Sequence, residues 1–148
     1  MATDVTGYNI LLKIDYDGTS KYLGGVTDEN FTINARTKER IRKEDNGIQK
    51  VVKTGYDVEF SINGVSEINE SGDETTRLDK TDMIDMMMDV VNQELDYVYG
   101  PKSPSTGDIT YTGTLLVMSY AESTNADGEA TFTLNCRGNS GLTKVEES

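Results

Sequence analysis

The sequence predicts a mainly β fold: an antiparallel sandwich or barrel in one domain spanning residues 1–148, with one flanking helix at about 80–92 and a long charged hairpin loop at about 36–53. Three observations predict it. Apolar and polar residues alternate over most of the chain, one segment instead repeats its polar residues at helical spacing, and positive charge is gathered into one stretch of an otherwise acidic protein.

The alternation begins in "YNILLKI" (Tyr8 to Ile14), which a turn signal "DYDG" separates from "KYLGGV". In "NFTINAR", Phe31, Ile33 and Ala35 alternate with Asn30, Thr32, Asn34 and Arg36, and in "YDVEFSIN", Tyr56, Val58, Phe60 and Ile62 alternate with polar neighbours. Each is the period of a half-buried strand. Near the end, "DITYTGTLLVMSYAE" and "EATFTLNCR" flank "STNADG" and read as a hairpin, with Phe132, Leu134 and Cys136 on its buried face. Cys136 is then a small core hydrophobe rather than a nucleophile.

The helix lies in "LDKTDMIDMMMDVVNQ", where Asp82, Asp85, Asp89 and Asn92 recur every three or four residues. At 100° per residue they fill an arc of about 80° on a helical wheel. Asp79 is its N-cap, with Asp82 three residues on. The remaining face is assigned to the core through Met83, Ile84, Met87, Met88 and Val91, with Met87 deeply buried. A helix this apolar needs cover on two or three sides, from both layers of a sandwich or from a neighbouring subunit.

The charged segment is "RTKERIRKE" and the turn-like "DNG" after it. The chain has 14 Lys and Arg against 26 Asp and Glu, a net charge of −12. Seven of its basic residues (Arg36, Lys38, Arg40, Arg42, Lys43, Lys50 and Lys53) share one window with three acids, so that window is +4 and the remainder −16. The alternation puts Arg36, Lys38, Arg40 and Arg42 on one side, in a protruding hairpin or loop too polar to join the core. Three roles fit: protection of a strand edge, contact with nucleic acid, or contact with an acidic surface on another copy of the chain. The third makes the segment an assembly arm, mobile in the free subunit and ordered against its neighbour.

Composition removes most chemistry. The chain has no His, which takes away the commonest general base and imidazole metal ligand. It has no "GxxxxGK" loop, and its one Cys can neither form an internal disulfide nor make a zinc pair. "DYDG" and "NADG" suggest calcium loops, but an EF-hand starting at Asp15 would need Glu where Val26 stands. The expectation is a protein that is not an enzyme, holds no cofactor or metal and enters no membrane, since no segment approaches about 20 apolar residues. Net negative charge opposes wrapping nucleic acid. The N-terminus lacks the basic start of a signal peptide, so synthesis and folding are expected in the cytoplasm.

The stretch "LGGVTDENFTINARTKERIRKEDNGIQKVVKTGYDVEFSINGV" resembles the N-terminal half of the major tail tube proteins of long-tailed bacteriophages, with Gly55, Tyr56, Phe60 and Gly64 at matching places. "YTGTLLVMSYAESTNADGEATFTLNCRGNSGL" is similar to the family's C-terminal strands, matching at Gly113, Gly128, Phe132, Leu134, Gly138 and Gly141. Tyr56 stands where Trp is common. The resemblance covers roughly residues 8 to 143 and implies a β-sandwich subunit that assembles into rings, usually hexameric, stacked as a tube. It further implies a virion-tail location after assembly in the host bacterial cytoplasm, and a passive acidic lumen. Its implied partners are other copies of the chain, the tape-measure protein and DNA within the lumen without sequence-specific binding, and tail terminator and baseplate or tip proteins. The alternative is a soluble β-sandwich module binding carbohydrate or protein, which the lack of Trp disfavours.

Overall fold

A computed structural model of the chain describes residues 10–16, 18–41, 43, 46–72, 76–126 and 128–147. In chain order its elements are β1 (Ile10–Tyr16), β2 (Thr19–Leu23), β3 (Val26–Ile41), β4 (Gln49–Val65), β5 (Arg77–Leu78), α1 (Lys80–Met88), β6 (Leu95–Pro101), β7 (Ile109–Ser123), β8 (Thr131–Gly138) and β9 (Thr143–Glu146). The strands form one mixed sheet in the order β3-β4-β8-β7-β6-β1-β2-β5, with β9 added to β7. All pairs are antiparallel except β2 with β5. The predicted strands at both ends of the chain are present, and β7 pairs with β8 as the C-terminal hairpin.

The sheet is apolar on one face only, so it folds over that face and meets itself as a sandwich with a flanking helix. Val58, Phe60 and Ile62 on β4 and Phe132, Leu134 and Cys136 on β8 are buried against Leu12, Ile14, Tyr97 and Leu115. An aromatic stack joins the halves. Phe60 meets Tyr97 edge-on with centroids 5.1 Å apart, and Phe31 lies 4.8 Å from Tyr99. Cys136 is 3% exposed, and burial pushes its thiol up to about 12, so it packs as a hydrophobe.

Gly24 and Gly25 join β2, the next-to-last strand of the sheet, to β3 at its opposite end, and the chain there crosses tightly against β4. The Val65 amide donates to the Gly25 carbonyl at 2.9 Å. A Cβ on Gly64 would stand 2.3 Å from that same oxygen and 2.9 Å from the Phe132 ring. Gly25 itself holds φ +77, which side-chain-bearing residues rarely adopt.

The helix begins as predicted and stops early. Asp79 accepts from the Asp82 amide at 3.1 Å, and Asp82 accepts from the Asp79 amide at 3.2 Å, forming a capping box. The Asp79 carboxylate also accepts from Thr81 at 2.6 Å and from the Asn69 amide at 2.9 Å. Burial would raise its pKa, but these bonds outweigh that and hold it below the ordinary value.

The expected extension to residue 92 is corrected. Asp89 leaves the helical region at ψ 109, and its carboxylate accepts from the Val91 and Asn92 amides at 3.0 Å each. Asp89 therefore ends the helix in an Asx-type turn instead of continuing the polar stripe. The expected core face is corrected with it. Met83 and Met86 are buried and Ile84 is half-buried, whereas Met87, Met88 and Val91 are exposed. With one sheet beneath it, α1 buries a single stripe, and Met83 and Met86 occupy that stripe.

Two measurements check this packing. Met83→Asp is expected to unfold the subunit, because an unpaired buried carboxylate costs several kcal/mol. Met87→Asp is expected to leave its circular dichroism and melting cooperative. The second concerns Glu29, whose carboxylate reaches across the core from β3 and accepts from the Leu12 amide at 3.5 Å. Burial raises its pKa to about 7, against a partial lowering by that hydrogen bond. A raised carboxyl stabilises the fold fully below its unfolded pKa of about 4.5, and the contribution is lost as pH rises through about 7. Glu29→Gln should flatten the fall in denaturation midpoint between pH 5 and 8.

Candidate assembly surface

The basic window forms the outer part of the β3–β4 hairpin. β8 pairs with β4 only from Glu59 to Val65, so among the described residues the ladder from Arg36↔Gly55 to Ile41↔Gln49 has no third strand. At about 3.3 Å per residue, Arg36 to Ile41 carries the arm roughly 16 Å outward. β-Branched Ile41, Val51 and Val52 favour the extended chain. Asn46 and Gly47 close it at φ 55 and 74, with the Asn46 amide donating to the Lys43 carbonyl at 3.0 Å. Gln49 also donates to Glu39 across the ladder. Cross-strand pairs extend along the arm to Ile41↔Gln49.

A bulge at Thr54 decides which expected site residues share a face. Arg36 is opposite Gly55 but Thr37 is opposite Lys53, so β4 carries one extra residue. Arg36, Lys38 and Arg40 share one face with Lys50 and Val52. Lys53 falls on the other, with Thr37, Glu39, Ile41 and Val51. Lys43 is exposed in the turn, and Arg42 lies outside the described residues. The second face continues the core face of β3 outward, leaving Ile33 49%, Ile41 65% and Val51 63% exposed, with Ile48 at the tip.

The root of the arm is tied down. Asp57 Oδ1 lies 3.4 Å from Arg36 Nε and 3.4 Å from an Arg137 guanidinium nitrogen. Arg36 also donates to the Tyr56 carbonyl at 3.4 Å, and the Tyr56 hydroxyl accepts from the Leu142 amide at 2.7 Å. Arg36, Tyr56, Asp57 and Arg137 line a surface cavity of about 530 Å³ with Leu116, Met118 and residues 138–141. Asp57 and Arg137 stand 80 positions apart, and no local spacing announces their meeting.

A second unpartnered surface lies at the end of α1. Met88, Val90 and Val91 are 65%, 77% and 84% exposed. Acidic Asp85, Asp89, Glu94 and Asp96 surround them in sequence. Glu94 is anchored, accepting from Asn139 at 2.8 Å and Thr114 at 3.1 Å. Among the described residues no group of three or more Asp, Glu, Cys or His could hold a metal ion, and no helix is long and apolar enough to cross a membrane. The subunit carries one basic and one acidic patch, each with exposed apolar residues beside it.

The family profile described as phage tail tube protein matches residues 4–144. Solved structures share the fold at low identity. A chain in the virion of a native gene transfer agent particle is 14% identical with a TM-score of 0.71, over 96% of this chain and 99% of that one. A chain in the tail of an empty gene transfer agent particle, refined with C6 symmetry, is 17% identical with a TM-score of 0.70, again over 96% and 99%. A chain of the SPP1 tail tube is 10% identical with a TM-score of 0.69, over 97% and 80%. No curated protein matches the sequence.

Tyr56→Phe tests the root of the arm. Removing the hydroxyl should cost about 1 kcal/mol and speed hydrogen exchange at the Leu142 amide, with little change at the buried amides of β8.

Proposed function

The chain belongs to the phage tail tube protein family, and from that premise we propose that it is a structural, non-catalytic subunit that self-assembles into six-membered rings stacked as a tail tube. The observation that carries the assembly reading is the basic two-stranded arm projecting from an otherwise acidic subunit. The C6 symmetry of the structurally similar gene transfer agent tail supports the ring number. A similar chain in an anti-feeding prophage baseplate, 9% identical with a TM-score of 0.64, supports contacts with baseplate proteins at the tube's end.

Physical arguments supply the rest of the proposal. Subunits assemble in the host cytoplasm and end as part of the virion tail. A ring brings the open edges of neighbouring sheets side by side, which removes unpaired backbone groups. Stacking through unlike surfaces propagates without closing, giving a filament. With −16 of charge outside the basic window, a lumen lined by Asp and Glu repels DNA, which carries a charge every ~1.7 Å, so the genome slides without being held. The tape-measure protein fills the same lumen beforehand, and a terminator caps the tube. Arg36, Lys38, Arg40, Arg42, Lys43, Lys50 and Lys53 serve inter-subunit contact in this reading.

The test is assembly of the purified chain, followed by size exclusion and negative-stain microscopy. Rings or tubes are expected, and a monomer at every concentration and salt would overturn the reading. Changing Lys38, Lys43 and Lys53 together to Glu should leave thermal melting within about 1 kcal/mol, because exposed charges contribute little to folding. It should block tube formation by setting like charges against each other. Salt at 1 M should partly restore it, since the Debye length there is about 3 Å. Normal low-salt tubes from this variant would reduce the arm to edge protection, and a map with a mainly Lys and Arg lumen would overturn the sliding argument.

A further inference from the structure

The proposed function leaves open what the arm touches, and the two exposed apolar surfaces of the subunit answer each other. The arm presents Ile41, Ile48 and Val51, exposed at 65%, 62% and 63%, with Lys43, Lys53 and one acid, Glu39, which Gln49 engages, around them. The end of α1 presents Met87, Met88, Val90 and Val91 beside Asp85 and Asp89. Each is apolar at its centre, with opposite charge beside it. Resting on the tail-tube reading, we propose that the arm tip of one copy seats on the C-terminal end of α1 in another copy, with Lys43 against Asp85 and Asp89.

Three features favour a second copy over any other occupant. Both surfaces are exposed in the same subunit, so they do not cover each other within one chain. The arm is positive and the helix end negative, so arms repel arms and helix ends repel helix ends, leaving arm-on-helix as the attractive pairing. The two surfaces are unlike, and every copy carries one of each, so the contact is heterologous and repeats from subunit to subunit. Methionine suits the receiving side, because its unbranched, polarisable side chain adapts to the β-branched residues that arrive.

Cysteine pairing tests the seating in assembled protein. Native Cys136 is buried, so introduced thiols report alone. Ile48→Cys and Met88→Cys replace exposed residues and should leave the fold intact by circular dichroism. Tubes of the double variant, treated with a mild thiol oxidant, are expected to give a ladder of covalent oligomers on non-reducing gels. Each single variant should stop at the monomer, and a mixture of the two singles should stop at a heterodimer. A second pair, Ile41→Cys with Val91→Cys, should behave alike. Tubes without a ladder from either pair would overturn this seating and leave the tail-tube reading standing. A wild-type chain that never forms rings or tubes would overturn both.

Discussion

A sheet with apolar side chains on one face must hide that face, and this chain has little beyond the sheet itself to hide it with. Its only described helix is nine residues long and buries two methionines fully. The sheet therefore closes over its own inner face, and the contact of Phe31 and Phe60 with Tyr97 and Tyr99 is where the two halves meet. The tight Gly25–Gly64 crossing follows from the same closure, since β2, near one end of the sheet, must be joined to β3 at the other across a very short span. Where β3 and β4 outrun the opposite half, their inner-face residues have nothing to bury against, and the arm begins there.

Charge follows the same division. The folded body carries the acids, and the part that outruns it carries the bases. Exposed charges of this kind weigh little in folding, typically under 1 kcal/mol per pair. Repeated at every subunit contact of a filament, the same charges set orientation and polarity. On the proposed reading, the arrangement separates the residues that hold the subunit together from those that join it to others. Arg36 is tied into the subunit itself, sharing Asp57 with Arg137 at the root of the arm.

Much of this was legible in the sequence. Alternation marked Phe60, Ile62, Phe132, Leu134 and Cys136 for the core, because a strand's period of two survives whatever the strand packs against. Asp79 and Asp82 announced their capping box through short-range spacing alone. The misses have physical causes. Asp89 fits a helical polar stripe, but its short carboxylate competes for backbone amides and turns the chain instead. Met87 looked like core because an apolar side chain reads the same whether its own subunit or another molecule covers it. β6 was overlooked although Leu95 and Tyr97 alternate with exposed neighbours, its short run lying in the shadow of the preceding helix signal. The bulge at Thr54, which decides which β4 lysine shares the face of Lys38 and Arg40, and the pairing of Asp57 with Arg137 depend on tertiary register that no local pattern encodes.

The β3–β4 hairpin also dictates an order of events at the ribosome. Its partners are adjacent in sequence and joined by a short turn, so it can form within microseconds of leaving the exit tunnel. Its buried face must wait, because β8 pairs with β4 from residues as late as Arg137, and β6 supplies Tyr97. At 5–20 residues per second, the stretch from Ser66 to Gly138 takes roughly 4–15 s to synthesise. Throughout that interval a nascent chain displays Phe31, Phe60 and Ile62 on an open ribbon, the kind of surface from which aggregates start. The lysines and arginines at its far end then act as gatekeepers, keeping neighbouring nascent chains on a polysome apart by like-charge repulsion. One segment would thus keep copies separate while they are being made and bring them together once the rest of the acidic body has folded.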